Sequence, residues 1–319
     1  MKKLLREAKA SQVTPAKQKL IESASIIRHD PDGADAAFMA RQLVQCTLPH
    51  SDPGNVEQWS RRNGNLTLGI QRGWDFANDC AIGHPYGVIP RLLLFWITTE
   101  AVRTKNRRLE LGTNLSEFMR ELGLIPSSAG AGKRSDTTRL REQMKRLFSA
   151  HISFRVNTPE AHRQGEKWLN MDVAPEGELW WDPKRPEQGT LWGSWIELGE
   201  KFFQAIVSSP VPLDTRALKA LKRSPLALDL YAWAAYKSWV VNQKKIPQFI
   251  PWQGLMEQLG ADYDPKRIDH FKDKVKAAFR KVSAVFPGGL YLKWSRNGLT
   301  FLPGTQPAVG PRRKKAASS

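Results

Sequence analysis

Asp264-Pro-Lys-Arg-Ile-Asp-His-Phe-Lys-Asp-Lys-Val-Lys-Ala-Ala-Phe-Arg-Lys-Val-Ser-Ala-Val-Phe286, followed by Leu290-Tyr-Leu-Lys-Trp-Ser-Arg-Asn-Gly-Leu-Thr-Phe-Leu302, is the stretch on which the fold turns. At 100° per residue, Ile268, Phe271, Val275, Phe279, Val282 and Phe286 fall on one side of a helix, and that side is expected to face a core. Asp264 is suited to cap this helix and Pro265 to open it. The opposite side carries Lys266, His270, Asp273, Lys274, Ala277, Arg280 and Lys281. Asn297-Gly298 predicts a tight primed turn between strands Leu290–Trp294 and Leu299–Leu302, with Lys293 and Arg296 near its tip.

The same order of elements occurs earlier. Pro90 is expected to open a helix to about Val102, Ser116–Leu122 a short helix stopped by Gly123, and Ser135 a third helix with Leu140, Met144 and Leu147 on one side. Pro225 opens the corresponding helix to about Val240, and Trp252–Leu259 a short one stopped by Gly260. Phe118-Met-Arg-Glu-Leu-Gly123 parallels Leu255-Met-Glu-Gln-Leu-Gly260. Helix, short helix, long helix and hairpin is the order of a winged helix. The expected fold is therefore α+β with two tandem winged-helix (helix-turn-helix plus β-hairpin) domains. Residues 51–205 form the first, for dimerisation and DNA backbone contacts, and 206–303 the second, for sequence-specific DNA binding. Residues 1–50 are expected as a mobile arm or loosely held helix (Pro15–Ile27), and 304–319 as a basic disordered tail. Ile152–Val156, Leu179–Trp181 and Leu191–Leu198 read as strands, with a long connection between the first two.

Charge points to the partner. Residues 201–319 hold 21 Lys and Arg against 7 Asp and Glu, while residues 1–200 hold 28 against 24, so most of the net +18 lies in the last third. Such a field gathers a polyanion, and double-stranded DNA is the expected one. In a helix-turn-helix the second helix enters the major groove, which makes Lys266, Arg267, His270 and Lys274 candidates for base edges or nearby phosphates. Arg280 and Lys281 would follow along the backbone, and Ala277 would permit close approach. Lys293 and Arg296 would reach phosphates or a narrow minor groove. In the first repeat Arg139, Arg141, Lys145 and Arg146, with Arg103, Lys105, Arg107 and Arg108, suit phosphate contact or a partner surface.

Other chemistries find little support. Cys46 and Cys80 lack the spacing of a zinc site, the six histidines stand singly, and no cofactor or metal is expected. Ser128-Ala-Gly-Ala-Gly-Lys-Arg-Ser135 departs from the phosphate-cradling pattern, because its first glycine would fall at Ser127 and Arg134 replaces the metal-binding hydroxyl. Tyr231 and Tyr236, beside Lys237, lie on a helix without the metal-binding His pair of a DNA-nicking enzyme. Trp96, Trp233 and Trp239 are expected in the core, and Trp180, Trp181, Trp192 and Trp195 stacked within strands. No run is long and apolar enough for a membrane span or a signal peptide, so a cytoplasmic protein is expected.

The segments Tyr86-Gly-Val-Ile-Pro-Arg-Leu-Leu-Leu-Phe-Trp-Ile-Thr-Thr-Glu-Ala-Val-Arg-Thr104, Leu111-Gly, Leu115-Ser-Glu-Phe-Met119, Leu122-Gly-Leu124 and Arg139-Leu-Arg-Glu-Gln-Met-Lys-Arg-Leu-Phe148 resemble the plasmid-encoded RepA replication initiators. Leu213-Asp, Leu218-Lys-Ala-Leu-Lys-Arg-Ser-Pro-Leu-Ala-Leu-Asp-Leu-Tyr-Ala-Trp233, Ile250-Pro-Trp, Leu255 and Leu259-Gly260 continue the likeness, which spans roughly 65–302. The resemblance implies a bacterial plasmid initiator that binds repeated origin sites, opens nearby DNA and draws in the host initiator and replicative helicase. Related initiators shift between dimers that repress their own gene and monomers that start replication, so a homodimer is a possible partner. A transcriptional repressor of the same fold is the alternative reading, and a DNA-nicking or priming enzyme a second.

Overall fold

The computed structural model describes residues 14–127, 132, 135–160, 163–182, 185, 187–189, 193–260 and 263–310. Thr14 caps helix α1 (Pro15–His29) by accepting from the Lys17 N–H, and Pro15 at its first position is already set for helical φ. Strand β1 (Ala36–Ala40) and the short α2 (Arg41–Gln45) follow. Helix α1 falls where the sequence offered a helix over Pro15–Ile27. Ala24, Ile27, Met39, Leu43, Val44 and Leu48 are buried in this N-terminal segment, whose many small residues hid the signal. Residues 1–13 lie outside the described residues.

Strands β2 (Gln58–Asn63) and β3 (Leu66–Gln71) form a hairpin, and β4 (Trp74–Asp75) and β5 (Cys80–Ala81) a second, smaller one. Then come α3 (Val88–Thr104), β6 (Arg108–Gly112), α4 (Leu115–Glu121), α5 (Asp136–Phe148), β7 (His151–Glu160), β8 (Arg163–Asp172), β9 (Glu176–Glu178) and β10 (Ser194–Glu197). Helix α6 (Glu200–Ser208), β11 (Pro210–Asp214) and α7 (Thr215–Leu221) lead into α8 (Pro225–Lys244). The chain continues through β12 (Gln248–Pro251), α9 (Trp252–Leu259), α10 (Ile268–Ala284), β13 (Leu292–Trp294) and β14 (Gly298–Phe301).

The molecule is a mixed α+β fold in which one succession occurs twice. Helix, strand, helix, helix, strand, strand describes α3-β6-α4-α5-β9-β10 and again α8-β12-α9-α10-β13-β14. The sheets also correspond, since β6-β10-β9 and β12-β14-β13 both place the last strand in the middle, antiparallel to its neighbours. In the first unit the long hairpin β7–β8 is inserted between α5 and β9, and it extends the β2–β3 hairpin into a four-stranded sheet. The strand expected at Ile152–Val156 is half of β7, and the stretch read as a connection contains β8. The strand expected at Leu179–Trp181 lies just upstream at Glu176–Glu178, and that expected at Leu191–Leu198 is Ser194–Glu197, with 190–192 outside the described residues.

One apolar cluster runs through both units, from Ile27 and Leu93 through Leu140 to Trp233 and Phe271. Helix α8 is buried nearly all round, as a central helix must be. Strand β1 pairs with β11, so the N-terminal segment lies against the connection between the units. Residues 304–310, the described start of the segment expected as a tail, pack against the body. Thr305 and Ala308 are buried, the Asn242 side-chain amide donates to the Thr305 carbonyl (2.7 Å), and the Gly304 N–H donates to Asn242 Oδ1 (2.8 Å). The basic run Arg312–Lys315 lies outside the described residues.

Candidate nucleic-acid interface

Asp264 caps the entry to α10, its Oδ1 accepting from the Lys266 N–H at 2.9 Å. Pro265–Arg267 form a tight 3-10 turn and the α-helix begins at Ile268, so Lys266 and Arg267 sit on the turn leading in. Phe271, Val275, Ala278, Phe279 and Val282 are buried, Phe286 is buried just beyond the helix end, and Ile268 is half-buried. Removing Phe271, Val275, Phe279 and Val282 from water stabilises the seating of this helix by on the order of 6 to 12 kcal/mol. Phe279 meets Trp294 edge-on at 5.5 Å, and Trp233 meets Phe301 at 5.3 Å, so helix, hairpin and core are fixed to one another.

That anchoring turns the other side outward. Lys266, Arg267, His270, Asp273, Lys274, Ala277, Arg280 and Lys281 are all exposed. Among the described residues the one ion pair along α10 joins Lys272 to Asp269 at 2.9 Å, and the cations facing solvent have no carboxylate partner. The His270 ring lies 5.8 Å from that of Tyr263.

The hairpin is built differently from the expected primed turn. Neither Asn297 nor Gly298 has positive φ. Gly298 is instead the buried first residue of β14, paired with Pro251, where a side chain would collide with the Ile250 carbonyl oxygen and the Phe249 ring. Ser295 closes the turn, its N–H and hydroxyl donating to the Gly298 carbonyl at 2.9 and 3.0 Å. Trp294 stacks on Trp252 (5.8 Å, 14°), and the Lys276 ammonium lies 6.0 Å from the centre of that Trp252 ring. Lys293 and Arg296 are exposed. The Asp269 carboxyl is held below its usual range, first by its bond from Lys272 and also by the charges of Arg296 and Lys276.

The corresponding helix of the first unit uses its cations internally. Ser135 caps α5, and Arg139 pairs with Asp136 at 3.4 Å. Lys145 pairs with Asp75, whose carboxyl is pulled down to about 2, chiefly by that bond. Arg146 is only 14 % exposed: it pairs with Asp52 (3.2 Å) and Glu142 (2.6 Å), donates to the His84 carbonyl and lies over the Tyr86 ring. Arg146, one of the cations expected at the DNA, is thus engaged by groups of the chain itself. Arg141 is exposed on a cleft of about 1020 Å³ shared with Glu142, Lys145 and Trp181. Arg103, Arg107 and Arg108 pair with Asp35, Glu197 with Glu200, and Glu110, respectively, while Lys105 is exposed at the end of α3.

A buried cluster that sequence reading missed joins the units. Arg91 of α3 and Asp229 of α8 meet at 2.7 Å, Nε and Nη2 each donating to one carboxylate oxygen, with side-chain exposures of 1 and 6 %. His50 Nε2 lies 2.8 Å from Asp229, and Arg91 also donates to the carbonyls of Leu48, Pro49 and Gly87. Burial opposes ionisation of Asp229, but Arg91 and His50 outweigh it and hold the carboxyl well below its usual range. Burial also lowers the pKa of His50. Tyr231 is fully buried with its hydroxyl accepting from the Asp214 N–H, and Tyr236 is half-buried. Trp239, expected in the core, is 60 % exposed, while Trp233 is buried and Trp96 half-buried. Trp192 and most of 128–134 lie outside the described residues.

Among the described residues, no group of three or more His, Cys, Asp and Glu side chains could hold a metal ion, and no helix is long and apolar enough to cross a membrane. A family profile described as "Plasmid encoded RepA protein" matches residues 84–253. No curated protein sequence matches. A crystal structure of a selenomethionine derivative of domains 2 and 3 of RctB covers 79 % of this chain and 93 % of its own, at 10 % identity and TM-score 0.45. Another, of RctB domains 2–3 (residues 155–483), covers 81 % and 94 % at 10 % identity and TM-score 0.44.

Proposed function

This chain belongs to the plasmid-encoded RepA protein family, and on that premise we propose that it is a plasmid replication initiator that binds repeated double-stranded DNA sites at the origin. We read each of the two corresponding successions as a winged helix, residues 51–205 the first domain and 206–303 the second. The observation that carries the proposal is the contrast between the two corresponding helices. On α5, Arg139, Lys145 and Arg146 are spent on carboxylates of the chain itself, whereas Lys266, Arg267, Lys274, Arg280 and Lys281 around α10 have none among the described residues. Unneutralised cations on an anchored helix suit an external polyanion.

In this reading the N-terminal part of α10 lies in the major groove, with Lys266, Arg267, His270 and Lys274 at base edges or adjacent phosphates. Arg280 and Lys281 follow the backbone, and Lys293 and Arg296 extend the contact through the hairpin. Arg141 is the first-unit cation best placed for phosphate, and Arg139 and Lys145 are secondary to it. Several bound copies strain the origin and melt an adjacent A·T-rich segment, where the host initiator and replicative helicase are drawn in. The protein acts in the bacterial cytoplasm, without a cofactor and without catalysis of its own.

Replacing Lys274 by Ala should lower origin affinity about tenfold or more if it touches a base, with a smaller loss on random duplex. Equal losses on both would make it a phosphate contact, and no loss on either would remove α10 from the interface. An origin-only plasmid maintained when this chain is supplied in trans distinguishes an initiator from a repressor. Metal-dependent nicking or primer synthesis would favour the enzyme.

A further inference from the structure

The outward side of α10 carries one charge of the wrong sign. Asp273 is exposed among Lys266, His270, Lys274 and Arg280, and among the described residues no cation lies within ion-pair distance of it. Helix geometry offers four neighbours, at i±3 and i±4. Lys276 is half-buried against the Trp252 ring, Ala277 has no charge, the His270 ring is against Tyr263, and Asp269 is itself an acid, already neutralised by Lys272. Asp273 also lies in the second turn of α10, beyond the first turn where the helix dipole favours an acid.

A free carboxylate on a helix that enters a duplex meets phosphate on either side, and on random sequence it can only repel. The major groove offers one compensating group in quantity, the exocyclic amine, and cytosine N4 is the amine that acidic side chains accept from. Resting on the reading of α10 as the groove-entering helix, we propose that Asp273 is a specificity-determining residue, accepting a hydrogen bond from a cytosine amine at one position of the site. Its repulsion weakens binding to duplex that lacks the amine there. The surrounding lysines and arginines supply affinity for any DNA, while Asp273 filters it.

The test compares the full-length wild-type chain with Asp273→Asn by selection from a randomised duplex pool, followed by titration on the wild-type-selected duplex and on a random duplex at several salt concentrations. An amide keeps the shape, loses the charge and suits adenine, whose N6 and N7 it can bridge. Asp273→Asn is therefore expected to bind random duplex more tightly, to lose about tenfold of its discrimination, and to change the preferred base pair at one position from C·G towards A·T. An unchanged selected sequence, with affinity raised equally on both duplexes, would overturn the proposal and make Asp273 a solvated rim charge. Lys274→Ala, run alongside, keeps the two readings apart. If it weakens binding while Asp273→Asn alters no base preference, only the filter fails; if neither variant alters binding to any duplex, α10 is not in the groove and both readings fall.

Discussion

Replacing Asp229 by Asn should be among the most damaging single changes in the protein, although none of its bonding partners is a proposed interface residue. The carboxylate accepts from Arg91 Nε and Nη2 at 2.7 Å and lies 2.8 Å from His50, and Asn preserves the shape while removing the charge. Breaking a buried pair from one side leaves an uncompensated charge, at about 3 to 5 kcal/mol. The lower end applies here, because Arg91 keeps its bonds to the carbonyls of Leu48, Pro49 and Gly87. For a chain of 319 residues that corresponds to a melting point roughly 4 to 6 °C lower. Thermal unfolding followed by circular dichroism measures it. The double replacement Arg91→Met with Asp229→Leu should be less harmful than the sum of the two single ones, since it removes both charges.

The same cluster sets an acid limit. His50 binds its proton less readily when folded, so the unfolded chain takes up more protons below about pH 6.5, and stability falls as pH drops through that region. The depressed Asp229 carboxyl contributes stability that is complete above about pH 4 and is lost as pH falls further, towards its folded value. Asp229→Asn should therefore flatten the profile below about pH 4, while the fall near pH 6.5 persists, because His50 loses the carboxylate that raises its pKa. A variant melting within about 1 °C of wild type, with an unchanged acid profile, would refute the reasoning from burial and charge.

Gly298→Ala should lower the melting point by roughly 1 to 5 °C, because the methyl collides with the Ile250 carbonyl oxygen where β14 approaches β12; calorimetry gives the value. Ala277→Trp leaves the buried side of α10 untouched and should fold as wild type, yet lose about tenfold or more of its origin affinity by holding the helix off the duplex, as a gel-shift titration would register. Lys145→Ala should change origin affinity less than Lys274→Ala does, since Lys145 is already paired with Asp75.

What could be read from the sequence follows local periodicity. The Phe and Val spacing of α10 survives in the structure because one anchored helix has one buried side, and the Asp264-Pro265 start was visible as a cap. Strand β8 was invisible for the opposite reason. Residues 165–168 are exposed on both faces at a sheet edge, so no alternation marks them. Strand β6 did alternate, with Leu109 and Leu111 buried, and was overlooked between two helices. Gly298 misled because a glycine beside Asn suggests a turn, whereas here it serves the close approach of two strands. The engagement of Arg146 with Asp52 and of Arg91 with Asp229 joins residues 94 and 138 positions apart, which no local pattern can announce. That is why the candidate cations were legible as a set, while the division between free and committed ones was not.

Lysine acetylation with and without the source-plasmid origin duplex, read by mass spectrometry, tests the central claim most directly. Lys266, Lys274, Lys281 and Lys293 should be protected by the duplex, while Lys17 and Lys201, exposed elsewhere on the surface, react equally in both samples. Equal labelling of Lys274 and Lys281 with and without bound origin DNA would contradict the placement of α10 against the duplex.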